Sequence, residues 1–284
     1  MYKKILILGA NGLIGNNILR YLVTKRLHIF PCVRNPKKKI GDGKNYYYGN
    51  LIKNDKINFK KIDRIISDLK PDMIINCIGT TKHKKVKQNH FDILNFKLIE
   101  LLLKFKVKII NFSTDCIFAG NNGNYKETSV ELDKSLYAKS KIKVENIRSN
   151  FLINLRTSAF GKERLTKNGL FEWFICKKKV FGYKFAYFSG PTCHEIAQII
   201  YNYIILRKKI SFGTFNIGGR SINKYDLLTL TNDIYKKNKI ILENKKIKIN
   251  RTLNIQKFIK KTNYKIKSWK TMLTEMKKFD EKSF

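Results

Sequence analysis

Tyr137-Ala138-Lys139-Ser140-Lys141 sets a phenol and an ammonium four residues apart, a spacing that shares one face of a helix. A free tyrosine titrates at about 10 and is a poor acid–base catalyst at neutral pH. A neighbouring ammonium favours the phenolate and can lower that value by about 2–3 units, toward the range where proton transfer is efficient. Spacing alone decides nothing in this composition. With 14 tyrosines and 59 lysines plus arginines, chance predicts roughly two Y-x-x-x-K matches. Three are present: Tyr21 with Lys25, Tyr137 with Lys141 and Tyr235 with Lys239. Tyr21 belongs to the helix behind a glycine-rich turn, where its side chain faces the helix layer or solvent, and Tyr235 lies beyond the first half of the chain. Tyr137 alone follows a strand that ends in hydroxyls.

That strand ends Asn111-Phe112-Ser113-Thr114-Asp115-Cys116-Ile117-Phe118-Ala119-Gly120. Strand C-termini of doubly wound sheets line the ligand crevice, so Ser113 and Thr114 project there, and one of them could hold a substrate carbonyl oxygen beside Tyr137. Simple capping of the strand end is the alternative use of such hydroxyls. A second chemical signal stands at the start of the chain, where Gly9-Ala10-Asn11-Gly12-Leu13-Ile14-Gly15 separates an apolar run from an amphipathic one. Gly9 permits a tight exit from the strand, Gly12 lets backbone N–H groups approach a pyrophosphate, and Gly15 lets the helix pack closely on the sheet. The spacing is G-x-x-G-x-x-G. The next strand ends Val33-Arg34-Asn35-Pro36, followed by Lys37-Lys38-Lys39. No carboxylate stands there to take a ribose 2′-hydroxyl, and Arg34 suits a 2′-phosphate, which favours NADP(H) over NAD(H).

The elements that must position these groups alternate as βα units, the mark of a parallel sheet. Strands are expected at 4–9, 28–33, 46–48, 73–78, 107–113 and 151–156, and helices at 13–25, 62–69, 91–105 and 135–149. After Thr157 the rhythm loosens into an aromatic cluster (171–188), a helix at 195–207, a short strand at 214–217 and a helix at 222–238. A lysine-rich stretch without assigned elements closes the chain. The fold class is α/β: a Rossmann-type doubly wound parallel sheet with a smaller C-terminal substrate-binding lobe. Residues 1–157 are expected to form the NADP(H)-binding domain, and residues 158–284 mainly the lobe.

Bulk properties narrow the class. A hydrophobic fraction of 43% suits a globular chain. The apolar run at the N-terminus breaks at Gly9 and Asn11, too short for a signal core. The run from Ile196 to Leu206 is interrupted by Gln198, Tyr201 and Asn202, so no transmembrane segment is expected. Five cysteines without a C-x-x-C pair point to reduced thiols in a cytoplasmic protein, and the four scattered histidines to no metal. The formal net charge of +38 is spread over the whole chain. Lysine filling solvated faces accounts for it, with weak attraction to nucleic acid or an anionic membrane as the alternative; no specific nucleic-acid site is expected.

Taken together, the Gly9–Gly15 loop, Ser113-Thr114-Asp115-Cys116-Ile117-Phe118 and Tyr137-x-x-x-Lys141 resemble the extended short-chain dehydrogenases. Within them the chain is most similar to the dTDP-4-dehydrorhamnose reductase (RmlD-like) group. Leu155-Arg156-Thr157-Ser158, Phe188-Ser189-Gly190-Pro191-Thr192 and Gly213-Thr214-Phe215-Asn216-Ile217-Gly218-Gly219 resemble that group too. The resemblance implies a catalytic set of Thr114, Tyr137 and Lys141. It implies cofactor contacts at Asn11, Gly12, Leu13 and Ile14, at Asn50 and Leu51, and at Cys77, Ile78 and Gly79, with substrate contacts at Thr114, Asp115 and Ser158. The implied reaction is NADPH-dependent reduction of a nucleotide-linked 4-keto-6-deoxy sugar in surface polysaccharide precursor synthesis, with a homodimer one assembly open to it. An epimerase or dehydratase of the same superfamily and a non-catalytic NADP-binding subunit are the rival readings. Departures from the group's pattern are Asn50 where an Asp is usual, Cys116 for the commoner Tyr, and Ala159-Phe160 after the R-T-S run. The last two leave the rhamnose precursor no better placed than another 4-keto-6-deoxy sugar, such as an acetamido sugar.

Overall fold

The computed structural model describes residues 4–33, 47–48, 51–53, 56–79, 88–163 and 169–282. The run Lys-Ile-Leu-Ile-Leu forms β1 (Lys4–Leu8), and α1 (Leu13–Leu22) follows the glycine loop. Then come β2 (His28–Val33), β3 (Tyr47–Tyr48) and a small hairpin of β4 (Ile52–Lys53) and β5 (Lys56–Ile57). α2 (Phe59–Leu69) is capped by the Asn58 side chain and leads to β6 (Met73–Asn76). A long helix is built from α3 (Gln88–Phe91), a π-helical turn (Asp92–Lys97) and α4 (Leu98–Leu103). β7 (Lys108–Thr114), α5 (Leu136–Glu145) and β8 (Leu152–Thr157) complete the first half.

The second half holds α6 (Leu170–Ile175), β9 (Lys179–Phe188) and α7 (Cys193–Ile199), which runs on as a π-helical stretch to Leu206. β10 (Gly213–Asn216), β11 (Ile222–Asn223), α8 (Lys224–Tyr235) and β12 (Ile240–Asn250) precede α9 (Gln256–Thr262) and α10 (Trp269–Lys282). Two expectations are corrected here. The helix expected at 222–238 begins two residues later, because Ile222 and Asn223 pair with β9 and Asn223 caps the helix through Asp226 N. The lysine-rich end is ordered as β12, α9 and α10.

Seven strands form one parallel sheet in the order β10-β8-β7-β6-β1-β2-β3. Alternation in β1 sends Ile5 and Ile7 to one face, with α1 and α7, and Leu6 and Leu8 to the other, with α2 and α4. Both faces are therefore apolar and both are covered, as parallel sheets require. β10 comes from beyond residue 157, and α7 packs on α1, so the later residues complete the sheet as well as forming a lobe. The lobe itself is a three-stranded sheet, β11-β9-β12, over a core of Phe160, Phe171, Phe188, Leu227, Trp269 and Met272. Its last helix returns to the first: Arg20, fully buried on α1, pairs with Asp280 at 2.8 Å.

Three neighbouring strands carry the same pair, Ile75-Asn76 at the end of β6, Ile110-Asn111 within β7 and Ile153-Asn154 within β8, and the register puts these asparagines side by side. Asn76 Nδ2 donates to Asn111 Oδ1 at 3.0 Å, and Asn111 Nδ2 donates to Asn154 Oδ1 at 2.9 Å. All three are buried. The amide ladder ties the end of β6 to the interiors of β7 and β8, below the level at which the loops of the site emerge. Asn111→Leu strands one donor and one acceptor, at about 1–3 kcal/mol each, and is expected to lower unfolding free energy by about 2–4 kcal/mol in a urea titration. An unchanged midpoint would show that the ladder contributes nothing.

Candidate active site

Gly9 leaves β1 with φ +73°, a left-handed conformation that suits glycine. A Cβ there would also lie 2.9 Å from the backbone of Cys77 and Ile78. The Gly9 carbonyl then accepts from Gly12 N at 3.0 Å, closing the turn. At Gly15 a Cβ would stand 2.3 Å from the Gly9 carbonyl oxygen, so this glycine lets α1 lie directly on the loop. No side chain caps α1, whose N-cap is Gly12. Its first-turn N–H groups and the positive end of its dipole are therefore available to an anion. The nearest atom to a Gly12 Cβ is the Gly9 carbonyl oxygen at 3.4 Å, which leaves that backbone open to close approach.

At the neighbouring strand end, Cys77, Ile78 and Gly79 leave β6, with Ile78 N donating to the Asn76 side chain at 3.2 Å. A Cβ on Gly79 would lie 3.9 Å from Lys141 Nζ and 4.0 Å from Asn95 Oδ1, so these groups meet over the Gly79 backbone. Asn95 Oδ1, Asn11 Oδ1 and Ser113 Oγ are buried with no hydrogen-bond partner among the described residues. Polar atoms of this kind are normally satisfied. Strung along the glycine loop and the sheet's C-terminal edge, they fit a polar, extended ligand such as a nicotinamide dinucleotide. The Gly12 loop and α1 would hold its pyrophosphate, and Lys141 and Asn95 its more distant end.

Thr114 ends β7 with its Oγ1 accepting from Cys116 N at 3.1 Å and donating to Asp115 Oδ1 at 3.3 Å. Its hydroxyl therefore caps the strand end, and it stands close enough to the Tyr137 phenol to favour the ionised form. Of the two hydroxyls left open by the sequence, Thr114 is the one that meets Tyr137. Ser135 caps α5 by accepting from Ala138 N at 3.3 Å, which sets the rotation of the helix. Asn95, turned by the π-helical segment, donates to Ser140 Oγ at 2.9 Å, and Ser140 Oγ donates to the Tyr137 carbonyl at 2.7 Å. One turn on, Lys141 is only 6% exposed, and its Nζ donates to the Phe112 carbonyl at 2.9 Å.

The electrostatics correct one expectation. Burial pushes the Tyr137 phenol up from its ordinary value, and the Cys116 thiol and Asp115 add to the rise, against the nearby Thr114 hydroxyl. Burial pushes the Lys141 ammonium down to about 8, with Glu145 opposing. The lysine is turned to the Phe112 carbonyl and is itself desolvated, so it does not bring the phenol toward neutrality. The phenol is thus protonated at neutral pH, the state a proton donor needs.

The other expected residues fall unevenly. Leu13 and Ile14 open α1 beside Gly12, as the loop requires. Leu51 is 4% exposed and packs in the core under α2, so its side chain faces away from the crevice. Asp115 is buried next to Thr114, and Ser158 lies against the Gly190 backbone where the sheet meets the lobe. Arg34 and Asn50 lie outside the described residues. The competing tyrosines are elsewhere. Tyr21 packs edge-on against His194 and Tyr201 in the helix layer, and Tyr235 against Phe171 in the lobe. Sequence reasoning missed Asn95 and Arg251. Arg251 holds the loop after Thr114 by donating to the carbonyls of Phe118 at 3.0 Å and Ala119 at 3.3 Å. The break in apolar spacing around Asn95 was a usable signal; Arg251 offered none among so many bases.

Comparisons with known proteins bear on the fold and the family. Residues 3–160 match the RmlD substrate binding domain family. The methionine adenosyltransferase 2 subunit beta of Xenopus tropicalis is 28% identical over 149 residues, 50% of this chain and 42% of that protein. The chain therefore matches less than half the length of that relative. A dTDP-4-dehydrorhamnose reductase from Bacillus anthracis, solved with NADP, superposes with a TM-score of 0.77 at 17% identity, covering 97% of this chain and 99% of that one. A dTDP-glucose 4,6-dehydratase from the same organism, solved with NAD, gives 0.77 at 19% identity over 99% and 97%. With residues 3–160 matched and the fold shared with enzymes solved with NADP and NAD, the chain belongs to the RmlD substrate binding domain family.

Proposed function

We propose that the protein reduces the keto group of a nucleotide-linked 4-keto-6-deoxy sugar with NADPH, in the synthesis of surface polysaccharide precursors. The observation that carries this reading is the meeting of Thr114 and a protonated Tyr137 at the end of β7, with Lys141 beside Gly79. The bound nicotinamide cofactor supplies the hydride. Tyr137 gives its proton to the carbonyl oxygen as that oxygen gains negative charge. Thr114 orients the same oxygen through its hydroxyl. Lys141, anchored on the Phe112 carbonyl, would hold the cofactor's ribose side, and the phenolate left behind takes its proton back from solvent. The pairing of Val33-Arg34 with no nearby carboxylate supports NADPH over NADH.

The test is a panel of dTDP-, UDP- and GDP-linked 4-keto-6-deoxy sugars with NADPH and with NADH, followed by absorbance and by mass spectrometry of the products. At least one sugar is expected to consume NADPH stoichiometrically, with kcat/KM at least about tenfold above that with NADH. An isomeric or dehydrated product without net NADPH loss would replace reduction by epimerisation or dehydration, chemistry akin to that of the dehydratase that shares the fold. NADPH binding with no turnover of any sugar would favour a non-catalytic subunit, a reading supported by the likeness to methionine adenosyltransferase 2 subunit beta.

A further inference from the structure

Lys224 opens α8 directly after β11, and β11 pairs with the last residues of β9, Ile222 with Phe188 and Asn223 with Tyr187. The lysine therefore stands where the lobe meets the C-terminal edge of the main sheet. Its Nζ sits 3.9 Å from the centroid of the Phe188 ring. The charge that acts on it is that of the Asp115 carboxylate, directly after Thr114; burial keeps the neighbouring Cys116 thiol protonated. Among the described residues no hydrogen bond or ion pair holds this ammonium, in contrast to Lys184, which pairs with Asp226 and Glu243 on the outside of the same lobe.

Stability does not account for a lysine at this position. The first turn of a helix disfavours a cation, because the N-terminal end of the dipole is already positive. Partial burial disfavours it again, and it pushes the ammonium's pKa down against the pull of Asp115. Both penalties fall away when an anion is brought to the ammonium. The site also needs such a cation. An anionic substrate that places a carbonyl on Thr114 and Tyr137 must approach the buried Asp115 carboxylate, which repels it.

We propose that Lys224 is a specificity residue of the substrate pocket: its ammonium, seated on the Phe188 ring at the start of α8, pairs with an oxyanion of the sugar nucleotide. The oxyanion is either a diphosphate oxygen or a carboxylate carried on the sugar. The inference rests on the sugar-nucleotide reading above.

The test is calorimetric titration of the NADP-saturated protein with UDP, dTDP and GDP, with the corresponding nucleosides, and with UDP-glucose and UDP-glucuronate. Lys224→Met is expected to weaken binding of the preferred diphosphate at least about tenfold. Affinity for the nucleoside and for NADPH should stay within about twofold, and Lys224→Arg should restore the diphosphate. Loss confined to UDP-glucuronate would assign the carboxylate as the partner. If Lys224→Met binds every anionic ligand as the wild type does, the role of Lys224 is overturned while the sugar-nucleotide reading stands. If the wild type binds NADPH but no diphosphate and no sugar nucleotide, that reading falls, and the role of Lys224 with it. Should Lys224→Met fail to bind NADPH, Lys224→Gln serves as the second variant, read against the same outcomes.

Discussion

Tyr137→Phe is expected to lower single-turnover reduction of a keto substrate by about 10²–10⁴-fold, while the Kd for NADPH stays within about threefold. The substitution removes one oxygen and leaves the ring, so the edge-on contact with Phe91 at 5.6 Å is kept and no cavity opens. What is lost is the proton donor beside Thr114, which burial holds in its protonated form. The same chain supplies its own controls. Tyr21 and Tyr235 stand in the same Y-x-x-x-K spacing but pack in the helix layer and in the lobe. Phe at either position is expected to leave turnover within about twofold. Undiminished turnover in Tyr137→Phe would sink the proposed mechanism, since among the described residues no other phenol is placed by the Thr114 hydroxyl.

Gly15→Ala is expected to have the largest effect on cofactor binding. Its new methyl would lie 2.3 Å from the Gly9 carbonyl oxygen, 3.0 Å from the Gly9 carbonyl carbon and 3.1 Å from Ala10 Cα. All three are backbone atoms, and the loop that carries them is held by Gly12 N on the Gly9 carbonyl and Ala10 N on the Cys32 carbonyl. Relief therefore requires α1 to lift from the loop, an overpacking penalty of about 1–3 kcal/mol. Lifting also withdraws the helix N-terminus from the pyrophosphate position, so NADPH affinity should fall by about 100-fold or more, roughly 2.7 kcal/mol. Gly12→Ala separates the two effects. Its nearest atom is 3.4 Å away, so thermal stability should barely change, whereas a methyl facing the pyrophosphate should still impair binding. Wild-type NADPH affinity in Gly15→Ala would mean that this loop does not hold the cofactor.

The parallel sheet was legible because its strands are buried on both faces and read as apolar runs with turn residues between them. The glycine loop was legible for a related reason: backbone that must approach other backbone closely leaves a residue-type signature at fixed spacing. Less was legible beyond Thr157. The strand β12 carries lysines among its isoleucines on a largely solvated surface, and that composition resembles a loop. Its pairing partner, β9, lies more than fifty residues earlier in the chain, so no local pattern announces it.

Within the site, residue types and spacing by themselves determined the candidates: a strand-end hydroxyl, a Tyr-Lys pair on one helical face and a glycine turn before a helix. These are local facts, set by a strand's alternation and a helix's pitch. Tertiary structure decided which hydroxyl serves, since Ser113 and Thr114 point to opposite sides of β7 and one side meets α5. It also decided the sign of the tyrosine's pKa shift. Desolvation depends on everything packed around a group, and an ammonium four residues away cannot act on the phenol when a carbonyl from another strand has claimed it.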